Sequence, residues 1–289
     1  MRPSAYCDKL ESLYTQWFST DQLAQREVPT VQDGQELGIV YDRISKSFGD
    51  VVAVNGVNLK IPNGLLYALL GPNGSGKSTL MKLTVGTLRP DSGRVLVNGV
   101  DAMLNPISVR KNVGYMPEEV VTYDSLTPAE YLSFIASLYE MPSESVRSRS
   151  EALVHLLALD EYMTKPIGEL SHGNRRKVVL AASIIHDPSV LILDEPFSGL
   201  DPESAKVLKE TLLDYVSKRK TVMISTHVME IAEAISKRVA IMQGGKVVAE
   251  GELEDLRSRT GAKDLEEAFL QVTGVSGEIQ DLLTALKAL

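Results

Sequence analysis

The 289-residue sequence holds a single cysteine, Cys7. One thiol excludes a disulfide framework and any cysteine-based zinc cluster. A long apolar run is also missing. The most apolar stretch, around Val178 to Ile185, falls well short of the about 20 residues a membrane helix needs, so no span is expected. There is no excess of basic charge: 30 Lys+Arg stand against 38 Asp+Glu, a formal net charge of −8. Coating DNA or RNA takes a basic surface to neutralise phosphates, so no nucleic-acid partner is expected. The first residues lack the apolar core of a signal peptide. These absences point to a cytoplasmic protein. They leave nucleotides open, because a nucleotide needs only one local site. Hydrophobic residues at 44% and charged residues at 24% are ample for a globular core. At about 150 residues per domain the length allows about two domains, or one large domain with appendages.

Tyr6, Leu10, Leu13, Tyr14 and Trp17 recur at three- and four-residue steps, with Phe18 beside them, which is one face of a helix. Val28 to Gly38 then turns polar around Pro29 and Gly34 and reads as a linker. From Leu37 the pattern is strand-like: IVYDRIS, VVAVNGVNLKI and LLYALLG, separated by turns at Phe48-Gly49-Asp50 and Pro62-Asn63-Gly64. A helix through Thr79–Leu83 and a strand RVLVNG follow. Between about Leu126 and Ala158 the character becomes helical. Thr127-Pro128-Ala129-Glu130 combines a capping residue, a first-turn proline and a third-position glutamate, and Pro142 separates two helical stretches. Beyond them KVVLAASIIH reads as helix, VLILD as buried strand, ESAKVLKETLLDYVSK as helix and TVMIST as buried strand. RVAIMQ and KVVAEG form a hairpin around Gly244-Gly245. Apolar runs alternating with helices signal a mostly parallel, helix-covered α/β sheet.

Gly71-Pro72-Asn73-Gly74-Ser75-Gly76-Lys77-Ser78 fits G-x-x-x-x-G-K-[ST] between an apolar strand and a helix. Glycines let several backbone N–H groups converge on one phosphate chain, and the helix N-terminus adds partial positive charge. Gly71, Asn73, Gly74, Ser75, Gly76, Lys77, Ser78 and Thr79 are therefore read as nucleotide-binding. Lys77 would bridge the β- and γ-phosphates, and the Ser78 hydroxyl would ligate Mg²⁺. The strand VLILD ends in Asp194-Glu195, at the sheet edge where ligands bind. There Asp194 can hold Mg²⁺ and Glu195 can polarise an attacking water. Alone, Ser171-His172-Gly173 would be merely a capped helix start, and Ser198-Gly199-Leu200-Asp201 merely a turn. His227, just past TVMIST, is a candidate γ-phosphate contact.

Taken in order, the P-loop, LSHGN, VLILDEP, SGLD and the strand-terminal histidine resemble the ATP-binding-cassette (ABC) ATPases over about Leu37 to Gly251. The resemblance implies a P-loop NTPase (RecA-like) core with an antiparallel β subdomain and an α-helical signature subdomain at about 120–175. It implies that Ser171 and Gly173 contact ATP held by a second subunit. Glu195 would be the catalytic base, His227 the switch histidine, and Asp201 part of the loop joining two active sites. Phe48 in KSFG matches the aromatic that stacks on adenine; its alternative is an ordinary core aromatic. Two motifs depart from the family. His172 and Asn174 stand where the common signature has Gly and Gln, and Glu118 stands where most members carry Gln. Glu118 can still reach the Mg²⁺ shell through water; its alternative is the start of a solvated loop. Thr122, Tyr123 and the helix from Thr127 match the region that receives a coupling helix from a membrane partner. DLEEAFLQVTG (264–274) resembles the C-terminal stretch of ABC-2 exporter ATPases.

The implied protein is the ATP-hydrolysing subunit of an ABC transporter, of ABC-2 exporter type, using ATP and Mg²⁺. It would pair with a second ATPase subunit, a like chain rather than a different one. It would sit on the cytoplasmic face through a separate transmembrane permease. The domains are then a helix and linker (1–36), the cassette (37–251) and a helical tail (252–289). Rival readings are a soluble ABC ATPase acting on a protein or nucleic-acid assembly, and an ATP sensor without turnover. The first fits poorly with one cassette and acidic charge, the second with Glu195 and His227. The N-terminal stripe would cover the cassette itself, the permease or the membrane surface.

Overall fold

The structure, a computed structural model, describes residues 36–274. The stripe from Tyr6 to Phe18, most of the expected linker and the end of the expected tail lie outside the described residues.

The first sheet is antiparallel. Strands β1 (Leu37–Phe48) and β2 (Val51–Pro62) are joined by the Gly49-Asp50 turn, with Gly49 at φ 56. Strands β4 (Ser92–Val97) and β5 (Val100–Asp101) complete it in the order β2-β1-β4-β5. The linker pattern had been read as far as Gly38, but β1 starts at Leu37, because Leu37 pairs with Pro62 across the sheet.

The second sheet carries the short apolar runs. It comprises β3 (Leu66–Leu70), β6 (Val113–Met116), β7 (Val190–Asp194), β8 (Thr221–Thr226), β9 (Arg238–Gln243) and β10 (Lys246–Glu252). Their order is β10-β9-β3-β8-β7-β6. All neighbours are parallel except the β9–β10 hairpin. Both faces of its five parallel strands are covered, which is why those strands lack a polar face. Leu66, Ala68, Leu70, Leu191, Leu193, Val222 and Ile224 point into one core. Tyr67, Leu69, Val190, Ile192 and Met223 point into the other, beneath the first sheet. The period of two that strands impose thus sorts each run into two cores.

Helices α1 (Lys77–Thr84) and α2 (Pro106–Asn112) lie on the side of the antiparallel sheet. The opposite core is filled by α3 (Pro128–Leu138), α4 (Ser143–Leu156), α5 (His172–Ile184), α6 (Pro202–Ser217) and α7 (Met229–Ile235). The expected start of α3 is present in full. Thr127 Oγ1 accepts from Glu130 N, and Glu130 accepts from Thr127 N at 2.8 Å. After β10 come α8 (Leu253–Thr260) and α9 (Leu265–Thr273). Among the described residues no helix is long and apolar enough to cross a membrane.

Candidate functional site

Strand β3 ends in a loop whose backbone only glycine can follow. Gly71 has φ 154, and a Cβ there would lie 2.4 Å from Met242 O. Gly76 has φ 105, and its Cβ would fall 2.2 Å from Ala53 O. The loop is also tied to both sheets: Gly245 N donates to Ser75 O at 3.1 Å, and Asn55 N donates to Gly245 O at 2.8 Å. Helix α1 opens directly from Gly76 with no side-chain cap and no acid in its first turn. Its N-terminal N–H groups are left for an anion. Pro72, Asn73 and Gly74 are exposed, Ser78 and Thr79 half-buried.

Lys77 Nζ donates to Gly71 O at 2.7 Å and to Pro72 O at 3.1 Å. Burial lowers its pKa, and the fields of Glu195, Asp194 and Glu118 act against that fall. The ammonium therefore sits over the cradle and close to three carboxylates. The two acids at the end of β7 are organised by one hydroxyl. Ser225 of β8 donates to Asp194 Oδ1, and its oxygen accepts from Glu195 N at 2.8 Å. Asp194 is 1% exposed, yet its Oδ2 has no partner. Glu195 takes a left-handed backbone, φ 49, unusual for a non-glycine residue. Its Oε1 lies 2.9 Å from Nδ1 of His227. The expected residues Lys77, Asp194, Glu195 and His227 therefore gather at the carboxyl ends of β3, β7 and β8.

The remaining expected residues sit around this cluster. Phe48 is 51% exposed at the end of β1, with Lys46 Nζ 5.5 Å from its ring centre, so it is not a core aromatic. Ser171 is exposed and caps α5, accepting from Asn174 N at 3.3 Å. A Cβ on Gly173 would lie 3.2 Å from Gly199 O, so the start of α5 touches the 198–201 turn of its own chain. Asp201 caps α6, accepting from Ser204 N at 2.8 Å and Ser204 Oγ at 2.6 Å. Glu118 is exposed at its side chain, and its carbonyl accepts from Arg176 Nη1 at 2.8 Å.

Ser225 and Arg176 escaped the sequence reading. Arg176 looked like one more polar residue of a capped helix, but it is 2% exposed and also donates through Nη2 to Glu195 O. Tyr115 was missed as well. Its hydroxyl is buried without a partner, and burial first, then Asp194, pushes its pKa up. Ser225 is a buried polar residue near the end of the buried strand TVMIST, beside the strand end that carries His227; that was the available signal.

A P-loop at the end of a parallel strand, beside two strand-terminal acids and under a helical insertion, defines a P-loop ATPase cassette. Comparison with known proteins agrees. Residues 54–198 match the ABC transporter family. The chain is 32% identical over 248 residues to daunorubicin resistance ATP-binding protein DrrA3 of Streptomyces coeruleorubidus, covering 86% of this chain and 78% of that one. It is 33% identical over 229 residues to the ABC transporter ATP-binding protein NatA of Bacillus subtilis, covering 78% and 93%. It is also 33% identical to Nod factor export ATP-binding protein I of Rhizobium etli, covering 75% and 69%. A solved ATP-binding subunit of an ABC transporter superposes with TM-score 0.78 at 29% identity, covering 81% of this chain and 99% of that chain. A dimeric cassette in a post-hydrolysis state bound to ADP and Pi shares the fold, with TM-score 0.69 at 23% identity over 74% of this chain and 98% of that one. The chain belongs to the ABC transporter family as an ATP-binding ATPase subunit, and one of these relatives is named for the export of Nod factor.

Proposed function

We propose that this chain powers a separate ABC-2 type permease by closing on ATP with a second copy of itself and reopening after hydrolysis. The observation that carries the reading is the cluster of Lys77, Asp194, Glu195 and His227 around a glycine cradle. Lys77 leaves its two loop carbonyls for the β- and γ-phosphates, while Gly71 to Thr79 supply N–H groups and hydroxyls. The unpaired Oδ2 of Asp194 and the nearby Ser78 hydroxyl suit Mg²⁺, with Glu118 reaching it through water. Among the described residues no three His, Cys, Asp or Glu side chains gather as a metal cage. That fits an ion bound by few protein groups and the phosphates. Bound there, Mg²⁺ would neutralise phosphate charge.

Glu195 orients and deprotonates the attacking water. His227 Nδ1 faces Glu195 Oε1, and with a proton on each ring nitrogen the imidazole would donate through Nδ1 to Glu195 and through Nε2 to the γ-phosphate. Phe48 stacks on adenine from its exposed position. Ser171 and Gly173 reach the ATP of the second copy, and Asp201 lies in the segment between the two sites. Residues 37–251 form the cassette, 252–289 the tail, and 1–36 an added helix and linker.

Permease coupling is supported by an aromatic surface at the start of the helical insertion. Tyr123 is 58% exposed and meets Phe134 edge-on at 5.7 Å, with Val121 and Leu138 exposed nearby in sequence. Such a patch suits a helix from a membrane partner. The subunit would thus work at the cytoplasmic face. Glu195→Gln should bind ATP without hydrolysing it. Size-exclusion chromatography in Mg-ATP should then show a dimer, and a persistent monomer would refute the shared site.

A further inference from the structure

We propose that Arg176 is a positioning residue that ties α5 to the two main-chain segments bearing Glu118 and Glu195, so that the hydrolytic acid is aligned only when α5 is seated. This inference rests on the proposed role of Glu195 as the base. The guanidinium is buried and spans two segments far apart in sequence. Nη1 donates to Glu118 O at 2.8 Å, and Nη2 donates to Glu195 O. A planar fork holds its donors in fixed directions and can bridge two separated carbonyls, whereas a lysine ammonium is a compact point charge without that fork. Burial disfavours the charge, and Glu118, Glu195 and Asp194 offset that.

Both bonds end on carbonyls, so Arg176 sets backbone position rather than side-chain chemistry. That matters most at Glu195, whose left-handed φ of 49 is a conformation held only when its surroundings over-determine it. Its N–H is fixed by Ser225 Oγ, and its C=O is held by Arg176 and by Ser198 N at 3.2 Å. Without Arg176 the one clamp that ties this backbone to α5 is gone, and the Glu195 carboxylate loses its alignment.

The preceding residue holds the other end of the same helical turn. Arg175 Nε donates to Leu170 O at 3.1 Å, Nη2 donates to Gly168 O, and Nη1 lies 3.9 Å from Asp124 Oδ1. Gly168 N donates to Asp124 O at 2.9 Å, and Ile167 N to Leu126 O at 2.8 Å. One turn of α5 therefore grips the loop beside Tyr123 through Arg175 and the acids through Arg176. A displacement at the aromatic surface, or at Ser171 and Gly173, reaches Glu195 through this turn.

The test compares Arg176→Met and Arg176→Lys in the full chain, reading kcat and KM for Mg-ATP together with thermal unfolding. Arg176→Met should lower kcat about 100-fold while KM stays within about threefold, the mark of a misplaced group rather than lost binding. Arg176→Lys should recover about tenfold of that loss. A folded Arg176→Met with kcat within about twofold of the parent overturns the proposal, as does a KM that rises in step with the fall in kcat. If Arg176→Met fails to fold, Arg176→Lys decides: parental kcat overturns, and a fall of about tenfold at constant KM supports. Glu195→Gln with Arg176→Met should still dimerise on ATP. If Glu195→Gln alone stays monomeric, the shared site fails while the kcat comparison still decides Arg176.

Discussion

His186 makes the stability of this cassette depend on pH in a calculable way. It follows α5, stacks face to face on Tyr139 at 3.7 Å between centroids, and holds Val113 O with Nε2 at 3.2 Å. It therefore joins the helical insertion to the start of β6. Its Nδ1 is buried with no partner, so a second proton would have nowhere to bond. Burial lowers its pKa from 6.5 to about 4; the Val113 bond and Asp187 oppose the fall, while Arg149 and Lys220 add to it. The unfolded chain takes up this proton near pH 6.5, the folded chain only near pH 4. Between those values the unfolded state binds more protons, so stability is complete above pH 6.5 and is lost as pH falls toward 4. At about 1.4 kcal/mol per tenfold the full displacement would be about 3 kcal/mol; partial exposure of the ring brings it to about 2 kcal/mol. Urea unfolding followed from about pH 7.5 down to about pH 4.5 should show that loss. Asp91, Glu130 and Asp201, whose pKa values are held down by their hydrogen bonds, add their own loss only at the acid end of this window, where unfolded carboxyls take up protons. His186→Phe keeps a ring on Tyr139 and removes the titration, so its curve should be flat between about pH 6.5 and about pH 5. An equal loss in His186→Phe would refute the assignment.

Three further outcomes follow from local geometry. Gly76→Ala should abolish ATP binding in calorimetry and destabilise the fold by about 2–4 kcal/mol, because its Cβ would strike Ala53 O. Lys77→Ala should leave the fold intact but remove measurable ATP affinity, and retained affinity would contradict the cradle. Thr127→Ala should cost about 1 kcal/mol in urea unfolding, the worth of a capping box, without changing ATP affinity.

The buried strands were legible because strands covered on both faces read as near-continuous apolar runs, as the VLIL of β7 and the VMI of β8 do. The start of α3 was legible because Thr127 and Glu130 each do local, reciprocal bonding. Strand β6 was not. It has four residues and includes Gly114, which is needed because a Cβ there would lie 2.1 Å from Ser183 O. Helices α2 and α7 went unread, each being seven residues long, whereas α8 falls in the expected helical tail. Asn105-Pro106, a cap followed by a first-turn proline, was the signal for α2. Of the site, the acids, the lysine and the histidine were readable from strand ends. The inward turn of Arg176 was not, since a helix position does not disclose that two distant carbonyls await it.

The cradle is walled by Ala53 on one side and by Met242 and Gly245 on the other. On a ribosome the glycine loop emerges early, yet its shape depends on residues synthesised near the far end of the cassette. A fragment limited to residues 54–198, the span that matches the family, contains every P-loop residue and neither wall. A truncated or half-made chain therefore has the loop without the walls that shape it.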